Sequence, residues 1–285
     1  MEDFEQQAQA FSQRIEQEIV EGRLNFPTVL DVSMRIRKLA ADPKASLDEI
    51  AEVVQAEPVL SAKVVRMANA VMMNPYGTPI TSVKDAVSRI GLSALRCLAF
   101  AVSFEQLAQD HRSRNLRLVA SGLWMHSVDV ACWASAIARE LKVAPPDTAL
   151  FAGMLVDIGQ FFLLARATDY PAMEANIDRF AEFVNTWHQP VGRAILEALS
   201  LPDSIVDAFC YEDPYGGSWP PKDLADVLFI SSLATEAPNP FDNLLGVHRP
   251  SLRESGVPGV DRDTMADLLA SAESHRKVLL STVCG

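Results

Sequence analysis

His126, Asp157, His188 and Asp226 are the side chains of this sequence whose type and surroundings could do chemistry. Each is a single polar, metal-competent group in an otherwise apolar stretch of the second half of the chain. Imidazoles and carboxylates brought together from separate helices of a bundle are the raw material of a metal site, and a metal held there could activate water against a phosphoester. No tight spacing such as HxxxH or HExxH accompanies them, so hydrogen-bonded histidines of a helical core are the competing reading. Asp157 is the most constrained of the four. Phe151, Met154, Leu155, Ile158, Phe161 and Phe162 surround it at helical spacing, which predicts one nearly all-apolar core helix through Gly153-Met-Leu-Val-Asp-Ile-Gly159 with a single carboxylate. A buried carboxylate must be met by a cation, a metal or several hydrogen-bond donors.

The elements that must position these groups read as helices throughout. The chain has 285 residues, 49% of them hydrophobic and only 13 of them glycine, and almost no period-two alternation of the kind strands need. The expected fold class is all-α: a multi-helical bundle of two packed helical subdomains. An amphipathic helix over 2–22 carries Phe4, Phe11, Ile15 and Ile19 on one face and is expected to dock on the body. Residues 1–23 form that N-terminal segment, 24–111 a first helical subdomain and 112–285 a second with a C-terminal helical extension.

In the first unit, Pro27 is expected to open a helix running to Asp42, Ser46 and Glu49 have capping-box spacing, and Pro58 opens a helix ending near Asn69. Asn69 and Asn74 are placed to tie the following loop to its neighbours. Ser82 is expected to cap a helix ended by Gly91. In the second unit a long helix is predicted over 116–141, a break at His188–Gly192, a loop at 213–221, a helix over 224–234 containing Asp226, and a helical pair over 263–283. Met67, Met72 and Met73 are expected to fill core space.

A net charge of −12 argues against nucleic acid or an anionic membrane as partner. Arg112, Arg114 and Arg117 are read as a solvated turn. Cys97, Cys132, Cys210 and Cys284 show no CxxC pairing and read as small buried hydrophobes in a reducing compartment. No basic and apolar leader opens the chain, and no uninterrupted apolar run approaches the roughly 20 residues of a membrane span. The expected location is the cytoplasm.

Several blocks in order carry a resemblance. They are Phe26-Pro27-Thr-Val-Leu30, Ile50 to Leu60, Val65-Arg-Met-Ala-Asn69, Ile80 to Ala86, Ile90-Gly91, Trp124-Met-His126-Ser127, Ala152 to Gly159, His188 with Gly192, and Leu201-Pro202. The chain resembles the HDOD family, the HD-related output domain of bacterial signalling proteins, from about Leu24 to Tyr211 and more weakly to Asp226. The resemblance implies a second subdomain of HD type. Relatives in the wider superfamily are metal-dependent phosphohydrolases that use an early histidine, an adjacent His-Asp pair and a late aspartate. By that correspondence this chain keeps His126, Asp157, His188 and Asp226. It departs at Val156, where the histidine of the pair should stand, and at Cys210-Tyr211, where some hydrolases carry paired histidines.

Valine offers no lone pair, so the expectation is a vestigial site with no catalytic residues, no metal and no cofactor. Protonated His126 could meet Asp157 without a metal, a pair that satisfies both groups; a metal or a bound ligand is the other partner open to it. The leading functional expectation is a non-catalytic regulatory module acting through signalling proteins or a bound small molecule. The alternatives are a divergent metal-dependent phosphohydrolase or phosphodiesterase, and a nucleotide-binding receptor without catalysis. With only residues 1–23 ahead of the matched region, a signal is expected to arrive through a partner or ligand.

Overall fold

The computed structural model describes residues 2–22, 24, 31–42, 44–70, 73, 74, 77–110, 113–199, 201–209, 220–247 and 262–284. Among these every regular element is helical. In chain order they are α1 (Glu2–Val20), α2 (Asp31–Ala41), α3 (Leu47–Gln55), α4 (Pro58–Asn69), α5 (Val83–Asp110), α6 (Arg114–Leu141), α7 (Pro146–Leu155), α8 (Ile158–Arg166), α9 (Pro171–Ala175), α10 (Ile177–Ala198), α11 (Asp203–Val206), α12 (Leu224–Ala234), α13 (Pro240–Leu244) and α14 (Arg262–Cys284). The fold is all-α, as the composition predicts. Pro27, Met72, Arg112, Cys210, Tyr211 and positions 213–219 of the expected loop lie outside the described residues.

Local signals act where the sequence places them. Ser46 and Glu49 form a reciprocal capping box at the start of α3. Pro58 stands at the first position of α4. The Ser82 hydroxyl accepts from the Asp85 amide, and Gly91, non-helical at φ 78° and ψ 167°, ends the first helical stretch of α5, so that α5 is two helices joined at a kink there.

The buried side chains fall into two clusters that share α5 as a wall. Leu95, Leu98, Ala99 and Val102 face a cluster built from α2, α3 and α4. Cys97, Phe100, Ala101 and Phe104 face a larger one built from α6 to α14. Across that second face Phe104 stacks on Phe161 with centroids 3.9 Å apart, and Trp124 donates to the Ala101 carbonyl at 3.2 Å. Cys97 and Cys132 are free and buried, and burial, aided by the field of Asp147, pushes the Cys97 thiol up to about 12. Helix α1 packs on the larger cluster. Phe11 lies between Tyr170 and Phe183, and Glu18 forms a buried two-pronged ion pair with Arg166.

Four sequence expectations are corrected. The single core helix through Asp157 is two helices, α7 and α8, broken at Val156–Asp157. The break expected at His188–Gly192 does not occur: α10 runs through Pro190. An interior proline costs about 3 kcal/mol, but Phe180, Val184, Val191 and Ile195 form one buried face on both sides of it, and their packing outweighs that penalty. The expected C-terminal pair is the single helix α14. Finally, the stretches Val83–Gln106 and Pro146–Asp169 are long and apolar enough to cross a membrane by length and composition; their apolar segments are mostly buried inside the fold, so their apolarity fills the core.

Candidate functional site

Two close helix crossings place Asp157. A Cβ on Gly153 would lie 2.6 Å from the Cα of Ala131, so α7 meets α6 backbone to backbone. A Cβ on Gly159 would fall 1.9 Å from the carbonyl oxygen of His188, so α8 meets α10 equally closely. Between these crossings Asp157 leaves helical geometry, at φ −102° and ψ 21°. Its side chain does not cap α8 and points into the core.

There the carboxylate is met by neutral donors. Ser127 donates its hydroxyl to Oδ2 at 2.8 Å, and Asn239 donates Nδ2 to Oδ1 at 3.2 Å. The same Asn239 amide reaches Gln160 Oε1 at 3.0 Å, while its Oδ1 accepts from the Phe241 amide at the start of α13. His126 lies beside this pair. Its Nδ1 is 2.6 Å from the Ala237 carbonyl, which can only accept, so Nδ1 carries a proton and Nε2 faces Asp157 Oδ2 at 3.7 Å. That separation exceeds a hydrogen bond. His126 thus stands at ion-pair distance from Asp157, as expected, while the hydrogen bonds to the carboxylate come from Ser127 and Asn239.

Sequence reasoning missed the segment Thr235–Asn239, which organises the site. Asp129, one turn beyond His126 on α6, accepts from the Thr235 hydroxyl at 2.7 Å and the Glu236 amide at 3.2 Å. Arg276 of α14 closes on the other oxygen of Asp129 at 2.7 Å and lies over the Trp133 ring. Burial opposes the guanidinium charge, but the hydrogen bond and field of Asp129, with Glu273 and Glu236, hold the Arg276 pKa above its ordinary value. The strap is thus fixed at one end by a buried ion pair and presents Ala237 to His126 and Asn239 to Asp157. The signal that could have found it is Asn239-Pro240, a helix-capping residue ahead of a first-position proline.

The remaining candidates are engaged elsewhere. His188 is half-buried and directs Nδ1 to the Val184 and Asn185 carbonyls of its own helix, and it is its backbone that meets Gly159. Asp226 accepts from the Lys222 amide at 2.8 Å while its own amide donates to Asp223, at the N-terminus of α12. Among the described residues no three His, Cys, Asp or Glu side chains converge as a metal's ligands would. The donor set at Asp157 does not fit a metal: one imidazole nitrogen faces one carboxylate whose oxygens already accept from a hydroxyl and an amide, and the adjacent Val156 has no lone pair.

In the first unit, Asn69 pairs with the Ile80 backbone in both directions, at 2.8 and 2.7 Å, and also donates to Val65 at the end of α4. Asn74 donates to the Thr78 carbonyl at 2.7 Å. Together they pin the loop between α4 and α5 onto its own ends.

The family's sequence profile matches this architecture: the HDOD domain spans residues 26–214, and the chain belongs to that family. No curated protein sequence matches the chain. Among solved structures it is similar, over 98% of its length and 100% of the other chain, to a Shewanella amazonensis SB2B protein whose assigned role as a metal-dependent phosphohydrolase is provisional, with 22% identity and TM-score 0.63. An HDOD domain protein of unknown function from Geobacter sulfurreducens matches with 24% identity and TM-score 0.56, over 93% of this chain and 96% of that one. A Marinobacter aquaeolei VT8 protein provisionally assigned to signal transduction matches with 19% identity and TM-score 0.56, over 98% of this chain and 66% of that one. At these identities the likeness is one of fold.

Proposed function

We propose that this chain is a non-catalytic signal-transduction module whose HD-type centre is a structural polar core rather than a metal centre. The observation that carries the reading is the pair of neutral donors, Ser127 and Asn239, that take the two oxygens of Asp157. A hydrolytic centre needs lone pairs aimed at an ion; here the carboxylate accepts hydrogen bonds from side chains that would have to turn away. Its state is passed on through protein contacts or a bound small molecule. Elemental analysis of protein purified without chelator, with a phosphatase and phosphodiesterase screen supplemented by Mn, Fe, Mg or Zn, tests it. The expected result is substoichiometric metal and background turnover. Stoichiometric metal with turnover that disappears in Asp157→Asn would establish a divergent phosphohydrolase instead.

A further inference from the structure

We propose that the cavity where α4, α5, α6, α7 and α14 meet is a binding site for a small aromatic carboxylate. The cavity measures about 270 Å³ and lies apart from His126 and Asp157. This is near the lower end of small-molecule sites, which run from about 300 Å³ upward. Its apolar lining comes from both buried clusters: Met67 and Ala94 from one, Leu150 and Leu279 from the other. Met73 joins them from the loop that Asn69 and Asn74 pin down. Two thioethers in one cavity favour a flat ring, because sulfur packs well against aromatic faces and edges and unbranched methionines adapt to its outline.

Arg139 and His275 supply the polar end. Arg139 Nη1 lies 2.8 Å from His275 Nδ1. A guanidinium only donates, so Nδ1 accepts, the ring proton is on Nε2 and the imidazole is neutral. Burial, with the field of Arg139 adding to it and that of Glu140 opposing it, holds the histidine below its ordinary value, in agreement with that tautomer. No ion pair joins Arg139 to a carboxylate among the described residues. Its guanidinium therefore keeps donors for an oxyanion, and His275 Nε2–H offers another. Asp147 lines the same cavity and opposes negative charge there, more for a phosphate dianion than for a monocarboxylate, whose single charge Arg139 offsets. A ligand seated there would touch both clusters and α14 at once. That consequence for signalling rests on the function proposed above; the binding itself does not.

The test is a titration of full-length protein, carrying 13C-methyl methionine, with 2-naphthoate, and with benzylamine and naphthyl phosphate for comparison. Met67→Leu and Met73→Leu assign the two methyl signals. The expected outcome is saturable shifts confined to the Met67 and Met73 methyls with 2-naphthoate, weaker shifts with naphthyl phosphate and none with benzylamine. Arg139 is exposed, so Arg139→Gln leaves the fold intact and should weaken 2-naphthoate binding about tenfold or more, the scale of one lost charge-assisted pair. Met73→Trp, which fills the space, should abolish binding while the other methionine signals stay in place. Unshifted Met67 and Met73 methyls, equal response to benzylamine, or unchanged affinity in Arg139→Gln would overturn the proposal. None of these bears on metal content or turnover, so the proposed function stands or falls separately.

Discussion

Asn239 donates Nδ2 to Asp157 Oδ1 at 3.2 Å, so one oxygen of this buried carboxylate is closed by an amide carried on the turn between α12 and α13. The contact is the inner end of a chain of bonds. Two residues earlier Ala237 accepts from His126, two before that Thr235 donates to Asp129, and Asp129 is clamped by Arg276 from α14. The C-terminal helix and the polar core are thereby joined through one strap.

Removing the amide should therefore act on more than one element. In Asn239→Ala, Asp157 loses a donor and α13 loses its cap. A buried polar group left short of a partner costs about 1–3 kcal/mol and a lost cap about 1 kcal/mol. Urea unfolding should show a loss of about 2–3 kcal/mol, and Asn239→Asp should be worse than Ala because it sets a second carboxylate against Asp157. A change within about 0.5 kcal/mol, the scatter of ordinary surface substitutions, would contradict the role given to Asn239.

The outer end of the strap gives a second prediction. Arg276 and Asp129 are both buried, so deleting either leaves an uncompensated charge, and Arg276→Ala or Asp129→Ala should each cost about 3–5 kcal/mol. The double replacement Asp129→Ala with Arg276→Ala removes both charges and should cost less than the sum of the single changes. Denaturant midpoints for the four proteins of the cycle provide the measurement. Additivity would mean that the pair is not coupled as the 2.7 Å contact implies.

How much of this was legible in the sequence depends on the range of the interaction. The capping box at Ser46 and Glu49, the cap at Ser82 and the proline start of α4 are local, and residue types at fixed offsets reveal them. The helix through Pro190 was not legible, because the packing that overrides the proline comes from α8, more than twenty residues earlier in the chain. The break at Asp157 was hidden for a related reason: apolar spacing continues across it, and only contacts from Ser127 and Asn239 show why the backbone turns there. His126 and Asp157 were found and do approach each other, but the side chains that complete their environment are a serine and an asparagine, types too common to stand out. His188 and Asp226 carried the right chemistry and point elsewhere.

The crossing of α8 and α10 predicts opposite effects for two similar substitutions. A Cβ at Gly159 would sit 1.9 Å from the His188 carbonyl oxygen, a backbone atom that cannot swing aside, so Gly159→Ala must separate the helices. It should cost at least about 3 kcal/mol, the upper end for overpacking. Across the same interface a Cβ at Gly192 meets nothing closer than 3.6 Å, so Gly192→Ala is accommodated. It should be neutral or gain up to about 1 kcal/mol from helix propensity. Thermal unfolding of the two variants side by side decides the matter, and similar losses in both would show that the crossing is looser than described.

His275 makes stability fall as the solution becomes acidic. Burial, and secondarily the field of Arg139, depress its folded-state pKa below the ordinary 6.5. Between that lower value and about 6.5 the unfolded chain binds a proton that the folded one does not. Stability from this group is thus fully present above about pH 6.5 and is lost as the pH falls toward the folded value. Protonation there would also place a second cation against Arg139 Nη1 and break the bond joining α6 to α14. The Tm of the wild type should drop between pH 7.5 and 5, with His275→Gln showing a shallower drop over the same interval. Arg139→Gln should be intermediate, since it removes the repulsion and leaves the burial. Parallel Tm curves for the wild type and His275→Gln would place the acid sensitivity elsewhere in the molecule.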